Sequence, residues 1–308
     1  FAQMGTRGTV TAASGFNPEA DAQKLRAAMK GAGTDEKAII QVLVHRSIAQ
    51  RQFIKEAFKQ LFGKDLADEL RSELSGNFEK VVLGLLMLLP VYDAYELKNA
   101  VKGAGTDERC LIEILASRTC AEIQAIKATY SKGIHCSTFD GKLSQQAGRD
   151  ESSVVNEVQA MKDAKDIFEA GEGRWGTDEA AFLTVLCVRN RKHLLRVFEA
   201  YKSISGRDIE DSIKREMSGN LEDIFLAIVQ CIKNKPAFFA EQLYKSMKGM
   251  GTTDSILIRI MVSRAEIDMI DIKMEFAKKY GKTLHSFIKG DTSGDYRAIL
   301  LELCGGEK

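Results

Sequence analysis

The chain reads as an all-α protein of four homologous repeats, each made of about five short helices, with the second repeat atypical or shortened. Three observations predict this. A glycine-rich loop recurs four times, about seventy residues apart. Apolar residues on both sides of each loop fall at helical spacing. No segment of comparable length alternates polar and apolar residues with period two, so essentially no sheet is expected.

The repeat comes first, because a missed repeat misassigns the architecture. Lys30-Gly-Ala-Gly-Thr34-Asp-Glu36 returns as Lys102-Gly-Ala-Gly-Thr106-Asp-Glu108, as Gly173-Arg-Trp-Gly-Thr177-Asp-Glu179 and as Lys248-Gly-Met-Gly-Thr252-Thr-Asp254. Five positions after each threonine stand Ile39, Leu111, Phe182 and Leu257, and twelve positions after it stand Arg46, Arg118, Arg189 and Arg264. In front of each loop, Leu25, Leu97, Ile167 and Leu243 form one column of a short helix, so the loop connects two helices. The divisions that follow are a tail at 1–15 and repeats at 16–88, 89–150, 151–234 and 235–308.

Within the first repeat, Thr34 is the expected N-cap of a helix carrying Ile39, Ile40, Val42 and Leu43, with Asp35 and Glu36 in its first turn. Ser47 opens the next helix, which carries Phe53, Ile54, Phe58 and Phe62 and stops at Gly63. A short segment at 65–74 follows. After Ser75-Gly76 the stretch 78–89 is apolar nearly all round, as a helix in the middle of a bundle should be.

A second motif is phased with the first. Thirty-nine residues after the threonine stand Glu73, Glu216 and Asp291, each followed by x-Ser-Gly. Glycines let a loop turn sharply with its carbonyls outward, and Ca²⁺ takes six to eight oxygens, carbonyls and a bidentate carboxylate among them. One loop and one carboxylate supply about five, leaving positions for water or a phosphate oxygen. A single negative charge should hold Ca²⁺ weakly alone and more tightly beside a lipid phosphate, which links ion and membrane reciprocally. An isolated G-x-G is ordinarily only a helix cap and turn, and the phased copies argue otherwise. Nucleotide binding is not expected, since no P-loop follows a strand.

The loop tips carry Ala32, Ala104, Trp175 and Met250. Trp175 suits a headgroup boundary, with packing on a neighbouring loop as the alternative, and Met250 divides between the same readings. Lys30, Lys102 and Lys248 flank the loops, where they either contact phosphate or are simply solvated.

Composition narrows the classes. The 44 basic and 43 acidic residues nearly cancel, so no cationic field of the kind that draws nucleic acid is expected. Six scattered cysteines without CxxC pairs fit a reducing, cytoplasmic compartment. The longest apolar run, 81–91, is interrupted by Gly84 and Pro90 and falls short of the roughly 20 residues of a spanning helix. No signal peptide is recognisable, and the chain starts at Phe1 rather than Met, so Phe1 need not be its natural start. His45, His135, His193 and His285 are isolated from any zinc or hydrolase motif, so an enzyme is not expected. A helical protein-binding scaffold is the main alternative.

The K-G-x-G-T loop, the phased carboxylate and the fourfold repeat together resemble the annexin family over almost the whole chain, and the tail resembles its short-tailed vertebrate type. The resemblance implies a curved disc with Ca²⁺ loops on a convex face against acidic phospholipid, and a cytoplasmic protein that becomes peripheral to membranes when Ca²⁺ rises. Self-assembly on membranes stays open. Carried over by position, the carbonyls of Met29, Gly31 and Gly33 join Glu73, and those of Met247, Gly249 and Gly251 join Asp291. The third loop is one residue longer, so Gly171, Arg174 and Gly176 serve with Glu216, and Trp175, Met250, Lys30 and Lys248 face the membrane. The family's central polar channel would be lined by Asp93, Glu96, Glu113 and Arg118, for which ion pairs between repeats are the preferred reading.

The second repeat departs from this pattern. Gln145 stands where a carboxylate is expected, and a neutral amide cannot supply the bidentate anionic ligand, so a weak or empty site is expected at the Gly103 loop. The apolar last helix found elsewhere at 78–89, 221–232 and 296–304 has no counterpart. Either it is deleted, or 152–161 replaces it with a more polar helix. The stretch 131–136 also breaks the helical pattern.

Overall fold

The computed structural model describes residues 7–31, 33–102, 105–133, 149–171 and 178–306, without the side chains of 130–133. The described residues form helices and loops and no strand. They fall into two compact units. One is Phe1–Tyr92 with Phe239–Lys308, and the other is Asp93–Phe238.

In the first unit the opening repeat has helices at Pro18–Ala28, Glu36–Leu43, Ile48–Phe62, Leu66–Glu73 and Gly76–Leu85. The N-cap of the second is Asp35, whose carboxylate accepts from the Ala38 amide, and not the expected Thr34. Thr34 instead turns its hydroxyl toward Glu73. Ser47 closes a capping box with Gln50, and Gly63 ends the third helix in the left-handed conformation, φ +71°. The apolar helix expected to run to Leu89 ends at Leu85, and Leu89 begins the next helix, Leu89–Val101. Side chains from the third helix decide the break. Arg51 donates to the Leu85 carbonyl at 3.1 Å and Gln52 to that of Leu86 at 3.1 Å, while Pro90 fits the first turn of the helix that follows.

The last repeat, in the same unit, has helices at Asp254–Arg264, Met269–Tyr280, Leu284–Asp291 and Gly294–Cys304. Its first helix is the far half of Gly219–Met247, a run broken at Asn234 (φ −154°) and restarted by the Asn234 side chain capping the Ala237 amide. The helix Gly76–Leu85 packs on Asp254–Arg264 and Gly294–Cys304, so the first and last repeats share one core. Gly84 permits the approach, since a Cβ there would lie 3.0 Å from Tyr92 and 3.3 Å from Val262. The tail straps the pair together. The Arg7 amide donates to Ile267, the Ile270 amide to Arg7 and the Val10 amide to Ala265, while Ala13 exchanges two hydrogen bonds with the Gln50 side chain. Gly8 lies so close to the backbone of Glu266 that a Cβ would sit 2.4 Å from it.

In the second unit the second repeat has helices at Leu89–Val101, Glu108–Ser117 and Cys120–Gly133. The last of these runs on to Gly133, past the start of the break expected at 131–136, of which 134–136 lie outside the described residues. The third repeat has helices at Glu157–Ala170, Glu179–Val188, Arg191–Ser205 and Ile209–Glu216 and the near half of Gly219–Met247. Stretch 152–161 is not a replacement helix. Residues 151–156 lie outside any helix, and Asn156 caps the front helix of the third repeat. The cause is local competition for backbone groups: Asp150 accepts from the Ser152 amide and hydroxyl, and Asn190 donates to the Val154 carbonyl at 2.9 Å.

Candidate functional site

The helix in front of each loop anchors it from inside. Leu25, Leu97, Ile167 and Leu243 are all fully buried, as their shared column predicts. Each loop is then closed by one hydrogen bond between equivalent backbone groups: Asp35 to Ala28 at 2.9 Å, Asp107 to Ala100 at 2.8 Å, Asp178 to Ala170 at 2.7 Å and Thr253 to Ser246 at 2.8 Å. Between these clamps the chain needs glycine. Gly31 and Gly33 adopt φ +121° and +103°, and Gly249 and Gly251 adopt +132° and +93°, values that strain any residue with a Cβ. Met29 and Met247 are buried, so their side chains pin the loop while their carbonyls belong to it.

The three carboxylates have a common placement. Glu73, Glu216 and Asp291 are each the last residue of a short helix. There the macrodipole is negative and the final carbonyls are free of intrahelical partners, a setting that disfavours a lone carboxylate and favours a cation beside it. The residue after each, Leu74, Met217 or Thr292, is buried and holds the turn. The glycine of x-Ser-Gly then starts the next helix at positive φ: +66° at Gly76, +62° at Gly219 and +58° at Gly294.

Loop and carboxylate meet in the first and last repeats. Thr34 Oγ1 lies 3.4 Å from Glu73 Oε2. The Thr252 hydroxyl donates to the Asp291 carboxylate and lies 3.2 Å from its main-chain carbonyl. Tyr296 braces this corner by donating to Asp254 at 2.9 Å, and burial pushes its phenol well above the usual range. Met250 stands fully exposed at the loop tip, and Lys30 and Lys248 are exposed beside their loops. Among the described residues no three His, Cys, Asp or Glu side chains converge, so any cation held here would rest mainly on carbonyl oxygens. One carboxylate with a carbonyl-rich loop is a donor set for a hard, oxygen-preferring ion.

In the third repeat Gly171 is buried as the helix cap and Glu216 is half-buried, whereas Arg174, Trp175 and Gly176 lie outside the described residues. Gln145 and Gly103 lie outside them as well. Gly105 keeps the glycine-only conformation, φ +136°.

Arg118 and Asp93 form a bidentate pair, at 2.7 and 2.9 Å, with both side chains 4% exposed, and the pair joins two helices of the second repeat rather than two repeats as expected. Burial works against the Arg118 charge, and the carboxylate more than offsets it, holding the guanidinium above its usual range. The pair is one of a series: Arg46 bonds Asp21 and Arg189 bonds Asp163 in the same register. The arginine column is visible in the sequence, and Asp93 is named there beside Arg118, whereas Asp21 and Asp163 are not, although an aspartate stands four residues before each of Leu25, Leu97 and Ile167. In the fourth repeat that position is Phe239, and Arg264 lies 4.7 Å over its ring and pairs with Asp268.

A helical protein of phased repeats, of which the first and last each present a glycine loop to the end of a distant helix, is the class these features define. The annexin family model matches residues 20–85, 92–135, 162–228 and 238–303, and the chain belongs to the annexin family. It is 59% identical to annexin A4 of Sus scrofa over 313 residues, covering 97% of this chain and 98% of the relative. Among solved structures, annexin III superposes with a TM-score of 0.93 at 46% identity, covering 99% of this chain and 98% of that one. A calcium-bound annexin (Sm)1 superposes at 0.83 with 33% identity, over 98% and 94% of the two chains.

Proposed function

We propose that the chain binds acidic phospholipid membranes reversibly, through Ca²⁺ ions held by loop carbonyls and one carboxylate and completed by lipid phosphate. The loops of the first, third and fourth repeats carry this role, with Met29, Gly31, Gly33 and Glu73, with Gly171, Arg174, Gly176 and Glu216, and with Met247, Gly249, Gly251 and Asp291. The observation that supports the reading most is the pairing of Thr252 with Asp291, which places a carboxylate at the end of one helix against a loop 39 positions earlier in the chain. Calcium in the structure of annexin (Sm)1, a protein of the same fold, agrees with it.

These residues act by presenting oxygens without neutralising the ion fully, so that anionic headgroups complete both coordination and charge. Lys30, Lys248, Met250 and Trp175 are the headgroup contacts in this reading, and the second repeat, with Gln145, contributes little. No catalytic role is assigned. Among the described residues no helix is long and apolar enough to cross a membrane, so attachment is peripheral in this reading, from the cytoplasm, and follows the Ca²⁺ level.

The test is co-sedimentation with phosphatidylserine vesicles with and without Ca²⁺. Sedimentation in Ca²⁺ that reverses in chelator is expected, and binding that persists in excess chelator overturns the bridging role.

A further inference from the structure

The first and last repeats treat their loop lysines differently. Lys30 and Lys248 stand in one column, as do Arg26 and Tyr244, Phe62 and Tyr280, and Glu69 and Phe287. In the first repeat this corner is ionic. Arg26 and Lys64 each reach Glu69 at 2.8 Å, the one ring of the corner, Phe62, lies 5.9 Å under Arg26, and among the described residues no ring lies under Lys30, which has the like charge of Arg26 one helical turn before it.

In the last repeat the corner is aromatic. Tyr244 stacks on Tyr280 with ring centres 3.8 Å apart and planes 7° from parallel, and Phe287 tilts against Tyr244 at 5.6 Å. The Lys248 ammonium lies 5.5 Å from the centre of the Tyr244 ring, within cation–π range. Lys279 rests on Tyr280 but gives its charge to Glu241 at 2.7 Å. Lys248 has no carboxylate partner among the described residues.

We propose that Tyr244, stiffened by its stack on Tyr280, is a positioning residue that holds the Lys248 ammonium beside the Gly249–Gly251 loop for an anionic headgroup phosphate. The proposal rests on the loop being a membrane-facing Ca²⁺ site. An ammonium has three donors, and a ring face occupies one side of it, leaving the others free for phosphate oxygens. A lysine stem ordinarily loses rotamer freedom when it engages a ligand, and a stem already resting on a ring loses less. Repeat four thereby offers a pre-placed cation where repeat one offers a swinging one.

The test uses the full chain and phosphatidylserine vesicles, reading the Ca²⁺ concentration for half-maximal binding. Tyr244→Leu and Lys248→Ala should each raise it about two- to five-fold. Tyr244→Phe, which keeps the ring, should stay at the wild-type value, and the double variant Tyr244→Leu/Lys248→Ala should be no worse than either single. Wild-type behaviour of Tyr244→Leu, or full additivity in the double variant, overturns the proposal while leaving the Ca²⁺ reading intact. Wild-type protein that fails to bind in Ca²⁺ overturns both. Because Tyr244→Leu also removes packing, an independent measurement on unsubstituted protein accompanies it. After reductive ¹³C-methylation, the Lys248 signal should be shifted upfield by the ring current and the Lys30 signal should not, and equal shifts again overturn the proposal.

Discussion

Asp291→Asn isolates the charge of the fourth-repeat site from its geometry. Asn keeps an oxygen that accepts from the Thr252 hydroxyl, and the helix Leu284–Asp291 that carries it is otherwise untouched. What is lost is one negative charge that, in the proposed mode of binding, touches a doubly charged ion. Two unit charges about 4 Å apart in water interact by about 1 kcal/mol, so a doubly charged ion against one carboxylate loses at least about 2 kcal/mol, roughly thirty-fold in affinity at that site. Sites in other repeats dilute this in a whole-protein measurement. Calorimetric Ca²⁺ titration in the presence of phosphatidylserine vesicles should resolve one weakened class of site with the others unchanged, and the thermal midpoint without Ca²⁺ should not fall. A Ca²⁺ isotherm indistinguishable from wild type refutes the assignment of Asp291 as a ligand.

Other consequences concern the frame. Asp93→Asn leaves the buried Arg118 guanidinium without the carboxylate that pairs with it directly, and urea unfolding should show a loss of about 3–5 kcal/mol. Gly8→Ala drives a Cβ into the backbone of Glu266, so the tail should detach or shift at a cost of about 1–3 kcal/mol, visible as faster hydrogen exchange at the Ile270 amide. Asp163 has its carboxyl held below the usual range, because hydrogen bonds from Arg189, Gln159 and His193 outweigh the upward push of burial. A depressed pKa adds stability that is fully present above the unfolded value near 4 and is lost as pH falls through the lower folded value. Asp163→Asn should therefore flatten the acid limb of the stability–pH profile measured by denaturant titration, and an unchanged limb would contradict this origin.

The repeat made the helical order legible, since columns such as Leu25, Leu97, Ile167 and Leu243 are set by burial, and burial leaves a residue-type signal. The clamps that shape the loops were not legible, because they join backbone groups and any sequence can supply those. The end of the helix at Leu85 was missed for a related reason. It is decided by Arg51 and Gln52, more than thirty residues earlier, and the apolar pattern runs straight through it. Thr34 was misread as a cap because Asp35 offers the same chemistry one residue later, which frees the threonine to face Glu73. The carboxylates are singled out by phase and by the x-Ser-Gly after each, and Glu73 stands near the end of the expected segment 65–74, while the matching helix ends at Glu216 and Asp291 emerge only with the structure.

The unit built from the first and last repeats has a consequence for the order of events during synthesis. Residues 93–238 form a continuous stretch, so their unit has all its contacts available once that stretch has left the ribosome. The helix Gly76–Leu85 must wait for Asp254–Arg264 and Gly294–Cys304, and the tail must wait for residues 265–270. Residues 7–10 and the helix Gly76–Leu85 are thus completed only after residues 93–238, although they precede them in the chain, and the apolar face of Gly76–Leu85 lacks its partners meanwhile.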